Sequence, residues 1–120
     1  MEKIAVIGGG AAGMMASIFA ARRGMEVHVY EKNEKLGKKL YITGKGRCNL
    51  TNACDMEELL ESVKSNKKFL YSAFYGFTNQ DAYDFFEAEG LKLKVERGNR
   101  VFPLSDRSAD VLDILRRAMR

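Results

Sequence analysis

The spacing of apolar residues changes several times along this chain of 120 residues, and each change predicts an element of structure. Ile4 to Ile7 form a short continuous apolar run, as expected for a parallel strand that is covered on both faces. A glycine-rich turn and a helical stretch follow, and a second apolar strand from Val27 to Tyr30 ends at Glu31. Residues 1–31 are therefore predicted to form one strand, helix and strand unit.

The next two stretches have different patterns. Residues 32–53 are rich in glycine and basic residues and show little periodicity, which predicts an ordered loop. Residues 54–90 carry apolar positions at helical spacing. Asp55 and Thr78 are placed to cap helices there, and Gly90 is placed to end the last one. We expect a helical insertion over this second stretch.

Aromatic residues are concentrated in the stretch from Lys67 to Tyr75. Phe69, Leu70, Ala73 and Phe74 recur there at helical spacing. Such a stripe is more often core than a cofactor-binding surface, so we expect these side chains to be buried.

Residues 91–120 predict a hairpin and a helix. Leu91 to Glu96 alternates apolar and charged residues, and the short run from Arg100 to Pro103 follows after a Gly-Asn turn. Ser105 is placed to cap the last helix, whose buried face is predicted to hold Val111, Leu112, Ile114 and Leu115.

The order of these elements predicts an α/β fold, as the N-terminal portion of a doubly wound, Rossmann-like domain. Only two convincing parallel strands occur, and no third one follows the last helix. A two-stranded sheet leaves apolar faces and edges uncovered, so the sheet is incomplete. We therefore expect the chain to be part of a longer protein that carries the remaining strands.

Composition narrows the class of protein. Hydrophobic residues make up 46% of the chain and charged residues 30%, which is ordinary for a soluble globular domain. The net charge of +4 is modest and the acids are interspersed with the bases, which argues against a nucleic-acid partner. No stretch is apolar for long enough to cross a membrane and no signal peptide is visible, so we expect a cytoplasmic protein without a membrane partner.

The glycine-rich turn fits the G-x-G-x-x-G fingerprint through Gly8, Gly10 and Gly13. The first glycine makes the tight turn, the second lets the backbone approach a pyrophosphate, and the third lets helix and strand pack closely. The helix opens at Ala11 and Ala12, with its unpaired N–H groups and its positive dipole end directed at the phosphates.

An acid closes the strand, helix and strand unit. Glu31 follows Gly13 by 18 residues, which places its carboxylate at the carboxyl end of the second strand. There it can accept hydrogen bonds from the 2′- and 3′-hydroxyls of a ribose, and its charge favours a bare ribose over a 2′-phosphate. A lone glycine fingerprint is a weak signal. Here strand, helix, second strand and acid follow in order, so we predict a dinucleotide site.

The basic loop after the acid has two interpretations. Its charges can simply be solvated. Alternatively, backbone N–H groups around Gly44 and Gly46, with Arg47 as a bidentate donor, can complete the contacts to the pyrophosphate and sugar. We favour the second interpretation, because the loop lies close to the end of the sheet where ligands bind in such folds.

The cysteines and the histidine carry no catalytic pattern of their own. Cys48 and Cys54 are separated by five residues, which differs from the C-x-x-x-x-C register of flavin-dependent disulfide reductases. We therefore interpret Cys48 as lining the cofactor pocket. His28, the only histidine, is interpreted as a packed or edge residue of the second strand. No His, Cys or carboxylate cluster has the spacing of metal ligands, so no metal is expected.

The loop also resembles a known family. The run from Thr43 to Asn52, TGKGRCNLTN, is similar to the [ST]-G-G-G-R-C-N-[VL]-T-N motif of a bacterial family of NAD(P)/FAD-dependent oxidoreductases, and Gly37-Lys38-Lys39 fits its preceding G-[RK]-K. The run from Arg100 to Ser105, RVFPLS, resembles a second block of that family. Lys45 stands where the family usually has glycine, which is expected to make the loop stiffer and more basic.

This resemblance spans essentially the whole chain and implies the opening part of a longer flavoprotein. Its members are known as flavoproteins, aminoacetone oxidases or reductases of dehydrogenated bile acids. By analogy, residues 1–31 hold the ADP half of FAD, 32–53 form the flavin-binding loop, 54–90 the helical insertion, and 91–120 the hairpin and helix. The implied cofactor-binding residues are Gly8, Gly10, Ala11, Ala12, Gly13, Glu31, Lys32, Lys38, Lys39, Thr43, Gly44, Gly46, Arg47, Cys48 and Asn49.

The function expected from the sequence is that of an FAD-dependent oxidoreductase whose flavin is reduced by NAD(P)H and which acts on a small organic substrate. No residue presents itself as a general acid or base. Two alternatives stay open: an NAD-binding dehydrogenase domain, and a non-catalytic flavin-binding or tRNA-modification module.

Overall fold

The computed structural model describes residues 1–120 and shows two compact units. The first unit comprises Met1–Cys48 with Arg107–Arg120, and the second unit comprises Asn49–Asp106. In chain order the helices and strands are β1 (Lys3–Ile7), α1 (Ala11–Arg22), β2 (Glu26–Tyr30), α2 (Lys38–Ile42), β3 (Thr51–Asn52), α3 (Met56–Glu61), α4 (Tyr71–Gly76), α5 (Asn79–Ala88), β4 (Leu93–Glu96), β5 (Arg100–Pro103) and α6 (Ser108–Ala118). Short 3₁₀ turns lie at Thr43–Gly46, Lys67–Leu70 and Arg97–Asn99.

The predicted strand, helix and strand arrangement is confirmed in the first unit. β1 and β2 pair in parallel, from Lys3 opposite Glu26 to Ile7 opposite Tyr30. α1 connects the two strands and begins directly after the glycine turn. Both strands therefore end at the same edge of the sheet, which is where ligands bind in Rossmann-type folds.

The expectation that β1 is covered on both faces is wrong for this chain. Val6 faces α1, since its Cγ1 lies 3.4 Å from the position that a Cβ would take on Gly13. Ile7, on the opposite face, is 81% exposed. Successive strand side chains point to opposite faces, and α1 covers only one of them. A continuous apolar run shows that both faces of a strand favour burial, but it does not show which element, if any, covers each face.

The core of the first unit forms where α1 packs against α6. Met14 and Ile18 of α1, and Val111 and Leu115 of α6, are each at most 1% exposed. The predicted buried face of α6 is therefore confirmed. At roughly 1.5–3 kcal/mol for each fully buried side chain, this contact is a main source of the first unit's stability.

The start of α6 differs from the prediction. Ser105 was expected to cap this helix, but the helix begins at Ser108 with Arg107 in the N-cap position. The Asp106 N–H donates to the Pro103 carbonyl oxygen at 2.9 Å, and Asp106 has a φ of 61°. Left-handed backbone cannot continue into a right-handed helix, so the turn around Asp106 delays the helix start.

The loop predicted over residues 32–53 contains more regular structure than expected. Lys38–Ile42 form α2, and Thr51–Asn52 form β3, which pairs antiparallel with β5. These elements have five and two residues. Elements this short leave no periodicity in a sequence, so the pattern of apolar residues could not reveal them.

The second unit is built on an antiparallel sheet with the strand order β3-β5-β4. The predicted hairpin is confirmed, because β4 and β5 pair from Glu96 opposite Arg100 to Leu93 opposite Pro103. Gly98 and Asn99 have φ values of 76° and 61°. Positive φ at both positions matches the twist of hairpin strands, which is why a Gly-Asn pair is a good hairpin signal.

The predicted helix caps of the second unit are also confirmed. The Asp55 carboxylate accepts a hydrogen bond of 2.8 Å from the Glu58 N–H at the start of α3. Thr78 and Asp81 form a reciprocal capping box at the start of α5, with bonds of 2.9 Å in both directions. Gly90, with a φ of 96°, follows the end of α5. Local polar residues therefore fix where these helices begin and end.

The prediction that the stretch from Lys67 to Tyr75 contributes to the core is wrong. Phe69 is 85% exposed, Tyr75 is 61% exposed, and α4 contains no buried residue. The stretch is not one helix, because a 3₁₀ turn meets α4 at Tyr71. A 3₁₀ turn has 3.0 residues per turn instead of 3.6, so residues at α-helical spacing do not line up on one face.

Candidate functional site

The glycine turn has the geometry that its fingerprint predicts. Gly8 has a φ of 102°, and its N–H donates to the Tyr30 carbonyl oxygen at 2.8 Å, so the turn is tied to the end of β2. A Cβ on Gly13 would collide with the carbonyl oxygen of Gly8. Gly8 therefore makes the turn, and Gly13 allows α1 to lie against β1.

The N-terminus of α1 is open to a ligand. Gly10 is the N-cap residue and provides no side-chain cap, and a Cβ at this position would meet nothing within 4 Å. Ala11 and Ala12, the first two helical residues, are exposed. The N–H groups of this 12-residue helix therefore face free space at its positive end, an arrangement that binds phosphates.

Glu31 is tied to the same turn. One carboxylate oxygen accepts a hydrogen bond from the Gly9 N–H and the other accepts one from the Asn33 N–H, both at 2.8 Å. These backbone bonds, that from Asn33 more than that from Gly9, hold the pKa of Glu31 below its usual value. The side chain is therefore ionised at neutral pH. A carboxylate has about four lone-pair sites, so two acceptor sites remain for ribose hydroxyls.

A cleft of about 880 Å³ lies between the turn and Glu31, and we call it the glycine cleft. Six of the residues implicated by the sequence line it: Gly8, Gly10, Glu31, Lys32, Lys38 and Lys39. Ile7, Val29, Tyr30 and Asn33 line it as well, and sequence reasoning missed them. Three of these four end or follow a strand, so the carboxyl edge of the sheet was the available signal.

The 3₁₀ turn that follows α2 lies outside the glycine cleft. Thr43, Gly44, Gly46 and Arg47 do not line the glycine cleft. The Thr43 hydroxyl instead donates to the Leu40 carbonyl oxygen at 2.7 Å, and Gly44 has left-handed backbone. These residues follow directly on α2, beyond the two lysines that do line the cleft.

Cys48 and Asn49 have structural surroundings. Cys48 is 4% exposed, and this burial raises the pKa of its thiol, while a hydrogen bond with Thr43 lowers it by less. Both cysteines are free thiols. Asn49 belongs to the second unit, where its amide donates to the carbonyl oxygens of Thr51 at 3.0 Å and Val101 at 3.1 Å. Its side chain therefore supports the pairing of β3 with β5.

Two further glycines shape the site. A Cβ on Gly9 would collide with Leu36, and the Gly9 carbonyl oxygen accepts a hydrogen bond of 2.8 Å from the Gly37 N–H. Gly37 has a φ of 67°, and a Cβ there would lie 2.5 Å from Cδ1 of Leu112. The run of three glycines was a signal for Gly9. The only sequence signal for Gly37 is its place in the family's G-[RK]-K motif.

The structure shows neither a metal cluster nor a membrane-spanning helix. No group of three or more His, Cys, Asp or Glu residues could hold a metal ion. No helix is long and apolar enough to cross a membrane. His28 is exposed on β2, where its Nε2 lies 3.0 Å from a carboxylate oxygen of Glu26.

Comparison with known proteins places the chain in a family. Residues 2–120 match the family described as HI0933-like protein Rossmann domain. Over its whole length the chain is 37% identical to the 3-dehydro-bile acid delta(4,6)-reductase of Clostridium scindens, of which it covers 29%. Over 92% of its length it is 32% identical to the ribosomal RNA dihydrouridine synthase of Escherichia coli, of which it covers 27%.

A third match is local. Over 34% of the chain the sequence is 54% identical to the NADH oxidase of Thermoanaerobacter brockii, of which the match covers 6%. The chain thus spans less than a third of the length of each of these relatives.

Proposed function

This chain belongs to the HI0933-like protein Rossmann domain family, and we propose that it forms the ADP-binding part of an FAD-dependent oxidoreductase. The supporting observation is the pairing of the α1 N-terminus with Glu31. Open N–H groups at one position and an ionised carboxylate at another border the same glycine cleft. A pyrophosphate and a ribose of one dinucleotide need this combination of donors and acceptor.

The residues present fit the ADP half of FAD. Gly10 leaves open space in front of α1, so a phosphate can approach the backbone. Lys32, Lys38 and Lys39 line the cleft and can balance the two charges of the pyrophosphate. Glu31 can accept from the ribose hydroxyls. Bound FAD supplies redox chemistry, while these residues bind and orient it.

The rest of the proposed cofactor contacts follow the family resemblance. Thr43, Gly44, Gly46, Arg47, Cys48 and Asn49 would contribute to the flavin end of the site. We retain residues 1–31 as the ADP-binding part and 32–53 as the flavin-binding loop of one FAD domain. Residues 54–90 and 91–120 would belong to the same domain.

We propose NAD(P)H as the reductant and a small organic molecule as the substrate. The support is the relative in Clostridium scindens, which is a reductase of a dehydro-bile acid and is similar over the whole chain. Catalytic groups are not evident among the residues of this chain, whose role would be to hold the cofactor.

The test is spectroscopic and uses the intact protein. We expect a yellow preparation whose flavin absorption band is bleached by NADPH or NADH without oxygen. A colourless protein that binds NAD would support the alternative of an NAD-dependent dehydrogenase. A flavin that neither nicotinamide reduces would support a non-catalytic flavin-binding module.

A second candidate substrate is RNA, and one stretch of the second unit favours it. From Ser62 to Gln80 there is no acidic residue, and Lys64, Lys67 and Lys68 precede the exposed Phe69. Lysines with exposed aromatic side chains are typical of surfaces that bind single-stranded nucleic acid. The Escherichia coli relative is a ribosomal RNA dihydrouridine synthase. Formation of dihydrouridine in ribosomal RNA by the intact reduced protein would favour RNA over a small molecule.

A further inference from the structure

The first unit contains a second cleft, of about 620 Å³, which we call the α6 cleft. It lies between the segment from Asn33 to Ile42 and α6. Lys38 lines this cleft as well as the glycine cleft, so the two are neighbours. The volume is in the range of small-molecule sites in proteins. Lys38 is the one residue proposed for the ADP site that also lines the α6 cleft.

The two walls of the α6 cleft are fixed to each other. The Ser108 hydroxyl at the start of α6 donates to the Tyr41 carbonyl oxygen of α2. Gly37 lies against Leu112 so closely that a Cβ would have to displace this side chain. Because both walls belong to the first unit and are bonded and packed together, the cleft is a preformed feature of the fold.

The lining combines apolar surface with positive charge. Tyr41 is 53% exposed and Ile42 is 69% exposed, so both offer surface for a flat ring. Lys35, Lys38 and Arg116 provide three cations, against the two acids Glu34 and Asp113. The Nη1 atom of Arg116 lies 3.9 Å from the Oδ1 atom of Asp113. Because this ion pair is long, the guanidinium can still bind an anion.

The first unit as a whole is positively charged, whereas the second unit is negatively charged. This unit has thirteen basic and six acidic residues, a net charge of +7, whereas the second unit has seven basic and ten acidic residues, a net charge of −3. The pyrophosphate of FAD carries two negative charges. A surplus of positive charge on one unit concentrates further anionic ligands there.

We propose that the α6 cleft binds the adenosine 2′-phosphate end of NADPH, an inference that rests on the proposed function because it assigns the reductant a site. Arg116 and Lys35 hold the 2′-phosphate, since guanidinium and ammonium groups form strong charge-assisted bonds with phosphate. Tyr41 and Ile42 contact the adenine ring. The same 2′-phosphate is rejected by the glycine cleft, where it would meet the Glu31 carboxylate.

The experiment compares two probes on the intact protein by calorimetry. 2′,5′-ADP carries one phosphate on the 2′ and one on the 5′ oxygen of adenosine, and 5′-AMP lacks only the 2′-phosphate. We expect roughly tenfold or tighter binding of 2′,5′-ADP, as one charge-assisted contact provides. In the Arg116→Ala and Lys35→Ala variants, the ratio of the two binding affinities should fall towards one. Arg117→Ala is the matched control, because it removes the same charge from the next position of α6, which does not line the cleft.

Flavin content, read from absorbance on every variant, separates the two proposals. A preference for 2′,5′-ADP that depends on Arg116 but not on Arg117 supports the α6 cleft as the site. Equal binding of both probes, or a preference that survives Arg116→Ala, overturns it even when flavin is retained. Absence of flavin overturns the FAD proposal, and the probe preference then still decides whether the α6 cleft recognises a 2′-phosphate.

Discussion

The first unit and the second unit differ in charge and in how their geometry is fixed. The first unit has a net charge of +7 and the second unit one of −3. In the first unit, Gly9, Gly13 and Gly37 occupy positions where a Cβ would collide with neighbouring atoms. In the second unit, side-chain caps fix α3 and α5. The geometry of the first unit therefore depends on glycines, whose missing side chains let neighbouring atoms approach the backbone. The geometry of the second unit depends on hydrogen bonds between polar side chains and nearby backbone groups.

The sharpest test of this difference is a pair of glycine substitutions in the first unit. Gly13→Ala places a Cβ against the Gly8 carbonyl oxygen and should reduce the free energy of unfolding by about 2–3 kcal/mol, with loss of flavin. Gly10→Ala meets no atom within 4 Å and should leave stability nearly unchanged while weakening flavin binding. Urea unfolding and flavin absorbance measure the two effects. Equal losses of stability would contradict the assigned roles.

The next prediction concerns the anchor of the glycine turn. Glu31→Ala removes the acceptor for the Gly9 and Asn33 N–H groups and the proposed ribose contact. We expect flavin affinity to fall roughly a hundredfold, as for the loss of two bonds to a charged group. Glu31→Gln keeps an amide oxygen as acceptor and should lose less. Fluorescence titration of the apoprotein with FAD measures both, and unchanged affinity in Glu31→Ala would refute the ribose role.

Glu31 also predicts a pH dependence of stability. Its pKa in the folded protein lies below the reference value of 4.5, so the carboxylate stabilises the fold above about pH 4.5. This contribution is lost as the pH falls through the lower folded-state pKa, because the unfolded chain then binds the proton first. Unfolding curves at several pH values should show a smaller acid-induced loss in Glu31→Ala than in the wild type. The same pH dependence of stability in both proteins would show that the Glu31 carboxylate does not contribute to it.

A smaller effect is expected from the caps of the second unit. Thr78→Ala removes the acceptor of the Asp81 N–H and should cost about 1 kcal/mol of unfolding free energy. Flavin content should stay unchanged, because Thr78 lies outside the glycine cleft. Thr78→Ser retains the hydroxyl and serves as the control. If Thr78→Ala lost flavin and Thr78→Ser did not, flavin binding would depend on the helix cap of the second unit.

The smallest expected effect has the opposite sign. Lys45 has a φ of 55°, a conformation that costs a residue with a Cβ about 1 kcal/mol. Lys45→Gly relieves this cost but makes the unfolded chain more flexible, so we expect a net stabilisation of about 0.5 kcal/mol. Lys45→Ala removes the same charge without relieving the backbone and should give no gain. Thermal unfolding distinguishes the two variants.

The sequence predicted those features that depend on local chemistry. The turn and packing roles of Gly8 and Gly13, the Thr78 capping box and the Gly98-Asn99 hairpin were all anticipated. Each of these signals is contained within a few residues and has one physical cause. Of the six expected residues that line the glycine cleft, Gly8, Gly10 and Glu31 followed from the strand, turn and helix pattern, because the ends of parallel strands meet at one edge. Lys32, Lys38 and Lys39 followed only from the family resemblance.

Burial was harder to predict, since it depends on neighbours far along the chain. Ile7 and Phe69 are apolar residues in regular patterns, yet they are 81% and 85% exposed. The sign of the charge on each unit was also hidden, because the net charge of +4 averages two units of opposite sign. The α6 cleft had no sequence signal, because its walls are about 70 residues apart along the chain.

The burial of Cys48 gives the protein an internal reporter. Thiol reagents and peroxide react with the thiolate, and a buried thiol with a raised pKa offers little of it. Cys54, which is partly exposed, lies in the other unit. Each unit thus carries one thiol, and the labelling rate of Cys48 would record how often the first unit opens.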